Sequence, residues 1–147
     1  MILLILRSVG SVLLGLVAAF ALLFAAEAVS YVLHPPPPGL AHDDMSGIRD
    51  HVARYPPAVL AVCTAIWAVG PFAGAWVATR LGTRRHLAHG LVVGAVMLVL
   101  AACNMSMLPY PVWFPIVVTT TFVLGPLLGI WLARPASPPP SAAIAAD

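Results

Sequence analysis

The chain has 147 residues, of which 61% are hydrophobic and only 8% are charged, and its mean hydropathy is +0.99. A water-soluble domain carries far more charge on its surface, so this composition excludes a soluble globular protein and predicts a chain that folds in lipid. The net charge is +2, and the seven arginines are scattered along the chain. We therefore expect the lipid bilayer as a partner and no nucleic acid.

Four apolar runs fill most of the chain, and each is long enough to cross a membrane. They cover 9–33, 58–79, 87–108 and 112–133. A helix of about 20 apolar residues spans a hydrocarbon layer about 30 Å thick. The sequence therefore predicts an all-α membrane protein with four transmembrane helices arranged as two helical hairpins. The remaining segments are too short for a separate soluble domain, so 1–147 is one membrane domain.

Proline punctuates the connection between the first two runs. Four consecutive prolines at 35–38 end the first helix, because proline lacks the backbone donor and fixes φ. In the loop 34–57, a short interfacial helix is predicted at 43–55, with Asp43 or Asp44 as its N-cap and apolar residues at helical spacing. A solvated loop is the alternative. The tail at 135–147, rich in Pro, Ala and Ser, is predicted to be disordered.

The arginines predict an orientation. Arg80, Arg84 and Arg85 lie between the second and third runs, Arg7 precedes the first run and Arg134 follows the last. The positive-inside rule then places both termini and the middle loop in the cytoplasm. A composition without lysine and rich in Ala and Pro is typical of a GC-rich bacterium, so we expect a multi-pass protein of the bacterial inner membrane.

The first run permits a second interpretation. Residues 1–28 carry Arg7, an apolar stretch and the triplet Ala26-Glu27-Ala28, which is the pattern of a cleaved signal peptide. Against cleavage, the apolar stretch exceeds the length of an ordinary signal and continues past the triplet to Leu33.

Two of the apolar runs share a motif. Residues 70–78 and 125–133 both read G-P-x-x-G-x-W-x-A, which predicts two hairpins related as a parallel internal repeat. Glycines four residues apart let two helix backbones approach closely. Three such pairs are the predicted helix-packing residues: Gly70, Gly74, Gly90, Gly94, Gly125 and Gly129.

Glu27 is the one acidic residue inside an apolar run. An ionised side chain deep in a membrane costs about 2.5–3.5 kcal/mol on insertion scales, so we expect its carboxyl to be neutral or to face partners inside the bundle. Tyr31 and His34 follow on the same helical face, and Asn104 and Thr120 lie at similar depth on other runs. These five residues form the predicted substrate-binding or ion-binding site.

Three roles remain open for Glu27. In the first, it binds a proton or cation that His34 relays toward the exterior. In the second, a neutral Glu27 forms a hydrogen bond with Asn104 or a threonine and joins the two hairpins. In the third, its side chain reaches the lipid headgroups.

The sequence carries no pattern of an enzyme. A phosphate-binding loop needs a lysine that the chain lacks, and no G-x-S-x-G elbow is present. His86 and His89 have no third ligand near them in the sequence. We therefore predict no catalytic residue, no metal and no cofactor.

A resemblance covers nearly the whole chain. Glu27, the segment 35–39, Asn104 and the segment 109–114 together resemble a group of small bacterial four-span membrane proteins for which no activity is known. The resemblance implies the fold and an inner-membrane location. In that group a histidine often stands four residues after the glutamate, and Tyr31 stands there in this chain, which argues against a Glu–His relay.

These observations lead to two functional hypotheses. The first is a small carrier or permeation protein for a proton or small solute, with Glu27 as the binding group, and we expect it to form a homo-oligomer. The alternative is a non-catalytic accessory or assembly subunit that packs its glycine faces against a membrane protein partner.

Overall fold

The computed structural model describes residues 2–83 and 86–134, and that part of the chain contains five α-helices and no strand. The helices are α1 (Ile2–Leu33), α2 (Met45–Ala53), α3 (Pro57–Leu81), α4 (His86–Met107) and α5 (Trp113–Ala133). All except α2 are long and apolar enough to cross a membrane. This confirms the predicted fold class, an all-α membrane protein in which α1 with α3 and α4 with α5 form two hairpins.

The helix boundaries lie within a few residues of the predicted spans except at the start of α1. The prediction began the first span at residue 9, whereas α1 begins at Ile2. The helix continues through Arg7 because no glycine or proline interrupts residues 2–8. The Arg7 Nε donates a hydrogen bond to the Leu81 carbonyl oxygen at 3.3 Å, where α3 ends.

The segment between α1 and α3 contains the short helix α2 within the predicted range 43–55. Asp44 is its N-cap, and its carboxylate accepts a hydrogen bond from the Gly47 N–H at 3.0 Å. This backbone bond, with a second from the Ser46 hydroxyl, holds the pKa of Asp44 below its usual range. Gly39, at φ +84°, provides the one left-handed position in the described chain, directly after the four prolines.

Helix α3 is the centre of the bundle. It packs most extensively against α1 and α5 and also against α4, whereas α1 and α4 touch each other over a smaller area. The core combines small side chains with large ones such as Phe114 and Phe122, and Ala19, Ala78, Val93, Met97 and Val118 are fully buried. Large apolar side chains cover the outside of the four long helices, as expected when lipid is the solvent.

The six predicted packing glycines all face neighbouring helices. A Cβ added at Gly70 or Gly74 would press on α1, and one added at Gly129 would press on α3. One added at Gly125 would make ordinary van der Waals contact with α3. A Cβ on Gly94 would meet the Pro126 ring of α5. Gly90 lies against Thr79 of α3 and Ile130 of α5. The glycines therefore bring the four long helices together within one chain.

Several predictions concern features that the structure leaves untested. The shared motif places Pro71 inside α3 and Pro126 inside α5, and both are buried, but the internal repeat itself stays a prediction. Arg84 and Arg85, on which the orientation partly depends, lie outside the described residues. The predicted disordered tail at 135–147 also lies outside them.

Candidate functional site

Glu27 lies on α1 about 9 Å below the end of the helix, since Leu33 is six residues later and each residue rises 1.5 Å. It is the only acidic residue in the four long helices of the described chain. Its side chain is not packed into the core but lines three adjoining cavities. Within residues 2–83 and 86–134, the carboxyl has no hydrogen-bond or ion-pair partner.

The first cavity lies between the helices, on the side of Glu27 that faces the middle of the bundle. It has a volume of about 250 Å³ and is bounded by all four long helices. Its walls are almost entirely apolar and aromatic, with Glu27 and Asn104 as the polar exceptions. Prominent wall residues are Phe20, Phe24, Trp67, Met97, Val118 and Phe122.

The other two cavities lie between Glu27 and α2. One, of about 290 Å³, is shared by Glu27, Asn104 and Trp67 with side chains of α2 and of the loop before α5. The other, of about 490 Å³, runs from Glu27 past Tyr31 and His34 to the proline segment. Glu27 therefore borders both the apolar cavity between the four long helices and the two more polar cavities beside α2.

Helix α2 and the residues after it cover this end of the bundle through hydrogen bonds and ring contacts. The Ser30 and Tyr55 hydroxyls are 2.7 Å apart and share a hydrogen bond. The Arg49 Nε donates to the Met107 carbonyl oxygen at 2.9 Å, where α4 ends. The His34 and His51 rings stack with centroids 4.5 Å apart and planes 6° apart. We call residues 45–55 the cap.

Burial shifts the pKa values of ionisable side chains in the cap and beside it. Burial lowers the pKa of His51, and the neighbouring His34 and Arg54 lower it further, so the neutral imidazole is favoured. Burial raises the pKa of Tyr55, while its bond to Ser30 opposes this shift and Glu27 adds to it. Burial also raises the pKa of Tyr110, with Glu27 as the next contribution. Both phenols therefore remain protonated donors near the Glu27 carboxyl.

Asn104 is oriented by Tyr110 and not by Glu27. The Tyr110 hydroxyl donates to the Asn104 Oδ1 at 3.1 Å. The predicted bond between Glu27 and Asn104 is not present among the described residues, although both side chains line the same two cavities. The Trp67 Nε1–H, a donor on the wall shared by these cavities, is buried with no hydrogen-bond partner in the described chain.

The opposite half of the bundle is tightly packed. Gly15 of α1 and Gly74 of α3 meet backbone to backbone, and Val93 of α4 packs onto both. Beyond this layer, a separate cavity of about 300 Å³ opens at the far end, lined by Ser8, Thr83 and His89 among others. The layer of Gly15, Gly74 and Val93 therefore separates the Glu27 cavities from the other end.

The structure brings four of the five predicted site residues together. Tyr31 and His34 border the largest cavity with Glu27, and Asn104 borders the other two. Thr120 does not line any of these three cavities: it is exposed, and its hydroxyl donates to the Ile116 carbonyl oxygen of its own helix at 2.8 Å.

Sequence reasoning did not assign four further residues to the site: His51, Tyr55, Trp67 and Tyr110. Tyr55 had a usable signal, because it lies on the apolar face of the predicted interfacial helix. His51 and Trp67 make their ring contacts with distant parts of the chain, whereas Tyr110 bonds to the nearby Asn104.

No protein-family model matches this chain, and neither a curated protein nor a solved structure shows significant similarity to it. Among the described residues, no three His, Cys, Asp or Glu side chains are placed to hold a metal ion.

Proposed function

We propose that the protein is a small membrane carrier that binds a proton or a small cation at Glu27. The observation that supports this most strongly is the placement of Glu27. The only carboxyl of the four long helices borders three cavities and has no bonding partner within the described chain.

The chemistry follows from the cost of a charge in a low-dielectric medium. An ionised, unpartnered carboxylate in the membrane is unfavourable, so the group is occupied either by a proton or by a cation. A single carboxyl holds a proton or a cation, but not both at once. The site would therefore support the exchange of one for the other. A structural carboxyl would instead be expected to form hydrogen bonds with its neighbours, and Glu27 forms none with the residues that the structure describes.

A carrier suits the cavities better than an open pore does. The Glu27 cavities lie toward the cap, and the packed layer of Gly15, Gly74 and Val93 separates them from the far end. Transport then requires a second conformation in which this layer loosens while the cap end closes. Under the positive-inside rule, the cap faces the exterior and both termini face the cytoplasm of a bacterial inner membrane.

The alternative function, an accessory subunit, needs a free surface for its partner. The six glycines predicted to form that surface pack against helices of the same chain. Gly10 of α1, which is not one of these six, has free space beside it, since an added Cβ there would meet nothing within 4 Å. Because the six glycines are already covered by helices of the same chain, the geometry favours the carrier, and the following experiment separates the two functions.

The test uses proteoliposomes that enclose a pH-sensitive dye. We expect wild-type protein to accelerate the decay of an imposed pH gradient, and Glu27→Gln to return the decay to that of empty vesicles. Asp43→Asn, at an exposed acid outside the four long helices, is the matched control and should behave like wild type. Wild-type decay no faster than that of empty vesicles, or full activity in Glu27→Gln, would contradict the proposal and favour an accessory role.

A further inference from the structure

The cavity on the inner side of Glu27 has two chemically distinct parts. Glu27 contributes the one carboxyl and Asn104 is the other polar wall residue, while the rest of the wall consists of aromatic and apolar side chains from four helices. A proton alone would not need this apolar space. The inference that follows rests on the proposed function of Glu27 and concerns what else the site accepts.

We propose that the site binds an amphiphilic organic cation, with a compact ammonium head beside Glu27 and an aryl or alkyl body in the apolar cavity. Two wall residues favour a positive head group in addition to the carboxyl. Trp67 and Phe20 line the cavity with Glu27, and aromatic faces attract cations that have lost their water. The volume of about 250 Å³ fits a compact body rather than a drug-sized one.

The same site is poorly built for a bare metal cation. Hard cations such as Mg²⁺ and Ca²⁺ require about six or more oxygen ligands. Of the residues that line this cavity, only Glu27 and Asn104 carry side-chain oxygens, which are too few for such a coordination shell. An alkylammonium carries its own apolar substituents and loses less hydration on entry. The walls therefore select an organic cation over a hydrated metal ion.

The cavity also offers a route from the lipid. Phe24 of α1 is 71% exposed and Leu100 of α4 is 45% exposed, and both border the cavity. Of the pairs of long helices that pack together, α1 and α4 pack least extensively, so we expect the ligand to enter between them. An amphiphilic cation concentrates at the boundary between headgroups and acyl chains, where Glu27 lies about 9 Å below the helix end.

Three small ligands separate the contributions of head and body. Benzyltrimethylammonium has both parts, its isostere neopentylbenzene has the body without the charge, and tetramethylammonium has the head without the ring. The assay measures radiolabelled benzyltrimethylammonium bound to the purified full-length protein in mild detergent, with the other two compounds as competitors. We expect tetramethylammonium to bind about tenfold to a hundredfold more weakly, because it buries no ring.

Variants test both ends of the site. Glu27→Gln should weaken binding of benzyltrimethylammonium by about tenfold or more while leaving neopentylbenzene unaffected. Ala101→Phe places a ring in the cavity wall and should abolish binding. Ala102→Phe is the matched control on the neighbouring exposed position and should bind like wild type.

The outcomes distinguish this inference from the proposed function. Equal binding of neopentylbenzene and benzyltrimethylammonium, no effect of Ala101→Phe, or no binding by a wild type that dissipates a pH gradient would each overturn the cation site. Charge-selective binding by a wild type that dissipates no gradient would support the site and contradict the carrier.

Discussion

Gly15 of α1 and Gly74 of α3 lie face to face at the crossing of the two helices, with no space for a side chain on either. A Cβ added at Gly15 would lie 2.6 Å from the Gly74 carbonyl oxygen, and one added at Gly74 would lie 2.7 Å from the Gly15 carbonyl oxygen. Since both obstacles are backbone atoms, a rotamer change does not relieve them. This contact holds the first hairpin together below the Glu27 cavities.

Substitution at this crossing should destabilise the bundle. We expect Gly74→Ala to lower the free energy of unfolding by about 1–3 kcal/mol, because the helices must separate to admit the methyl group. Thermal unfolding in detergent, followed by circular dichroism, measures the effect. Gly10→Ala is the matched control on α1, where an added Cβ meets nothing within 4 Å, and it should be neutral or slightly stabilising. Equal losses in both variants would refute the close crossing.

The hydrogen bond between Ser30 and Tyr55 should hold the cap in place. Tyr55→Phe removes this bond, worth about 0.5–1.5 kcal/mol, and leaves the ring in its position. We expect faster hydrogen exchange at the backbone amides of α2 and unchanged exchange in α3 and α5. Tyr31→Phe changes an exposed tyrosine of α1 and should have no effect. Unchanged exchange of α2 in Tyr55→Phe would show that the bond does not retain the cap.

Attachment of the cap should depend on pH through His51. The folded-state pKa of His51 is lowered, first by burial and then by His34 and Arg54. Its contribution to stability is therefore present above the ordinary histidine pKa and is lost as the pH falls through the lowered value. After correction for intrinsic rates, hydrogen exchange of α2 should be faster at about pH 5 than at about pH 8.

Two variants identify the titrating group. His51→Phe keeps a ring in the stack but removes the charge, so the pH dependence of α2 exchange should disappear. His42→Phe alters an exposed histidine of the preceding loop and should leave the dependence intact. A dependence that persists in His51→Phe would assign the titration to another group.

The fold was largely predictable because its signals are local. Apolar runs of sufficient length, the prolines at 35–38 and the Pro56-Pro57 pair define where α1 ends and where α3 begins. Helix α1 extends N-terminally beyond the predicted span, because arginine is a good helix former and the Arg7 side chain donates to the Leu81 carbonyl oxygen.

The site was less predictable because it depends on contacts between distant segments. Glu27 stood out as an acid in an apolar run, and Tyr31 and His34 followed from helical periodicity. The sequence did not show that Tyr55 would bond Ser30, or that Glu27 would have no hydrogen-bond partner in the described chain. It also assigned Thr120 to the site by depth alone, although rotation about the helix axis directs its hydroxyl to the Ile116 carbonyl oxygen.

The most direct test of the account is chemical modification of Glu27 in the intact membrane. N,N′-dicyclohexylcarbodiimide is an apolar reagent that adds to protonated carboxyls, and peptide mass spectrometry locates the adduct. We predict an adduct at Glu27, formed more slowly in the presence of benzyltrimethylammonium and absent from Glu27→Gln. A Glu27 that stays unmodified, or one modified at the same rate whether or not the cation is present, would contradict the claim that this carboxyl is an accessible ion-binding group.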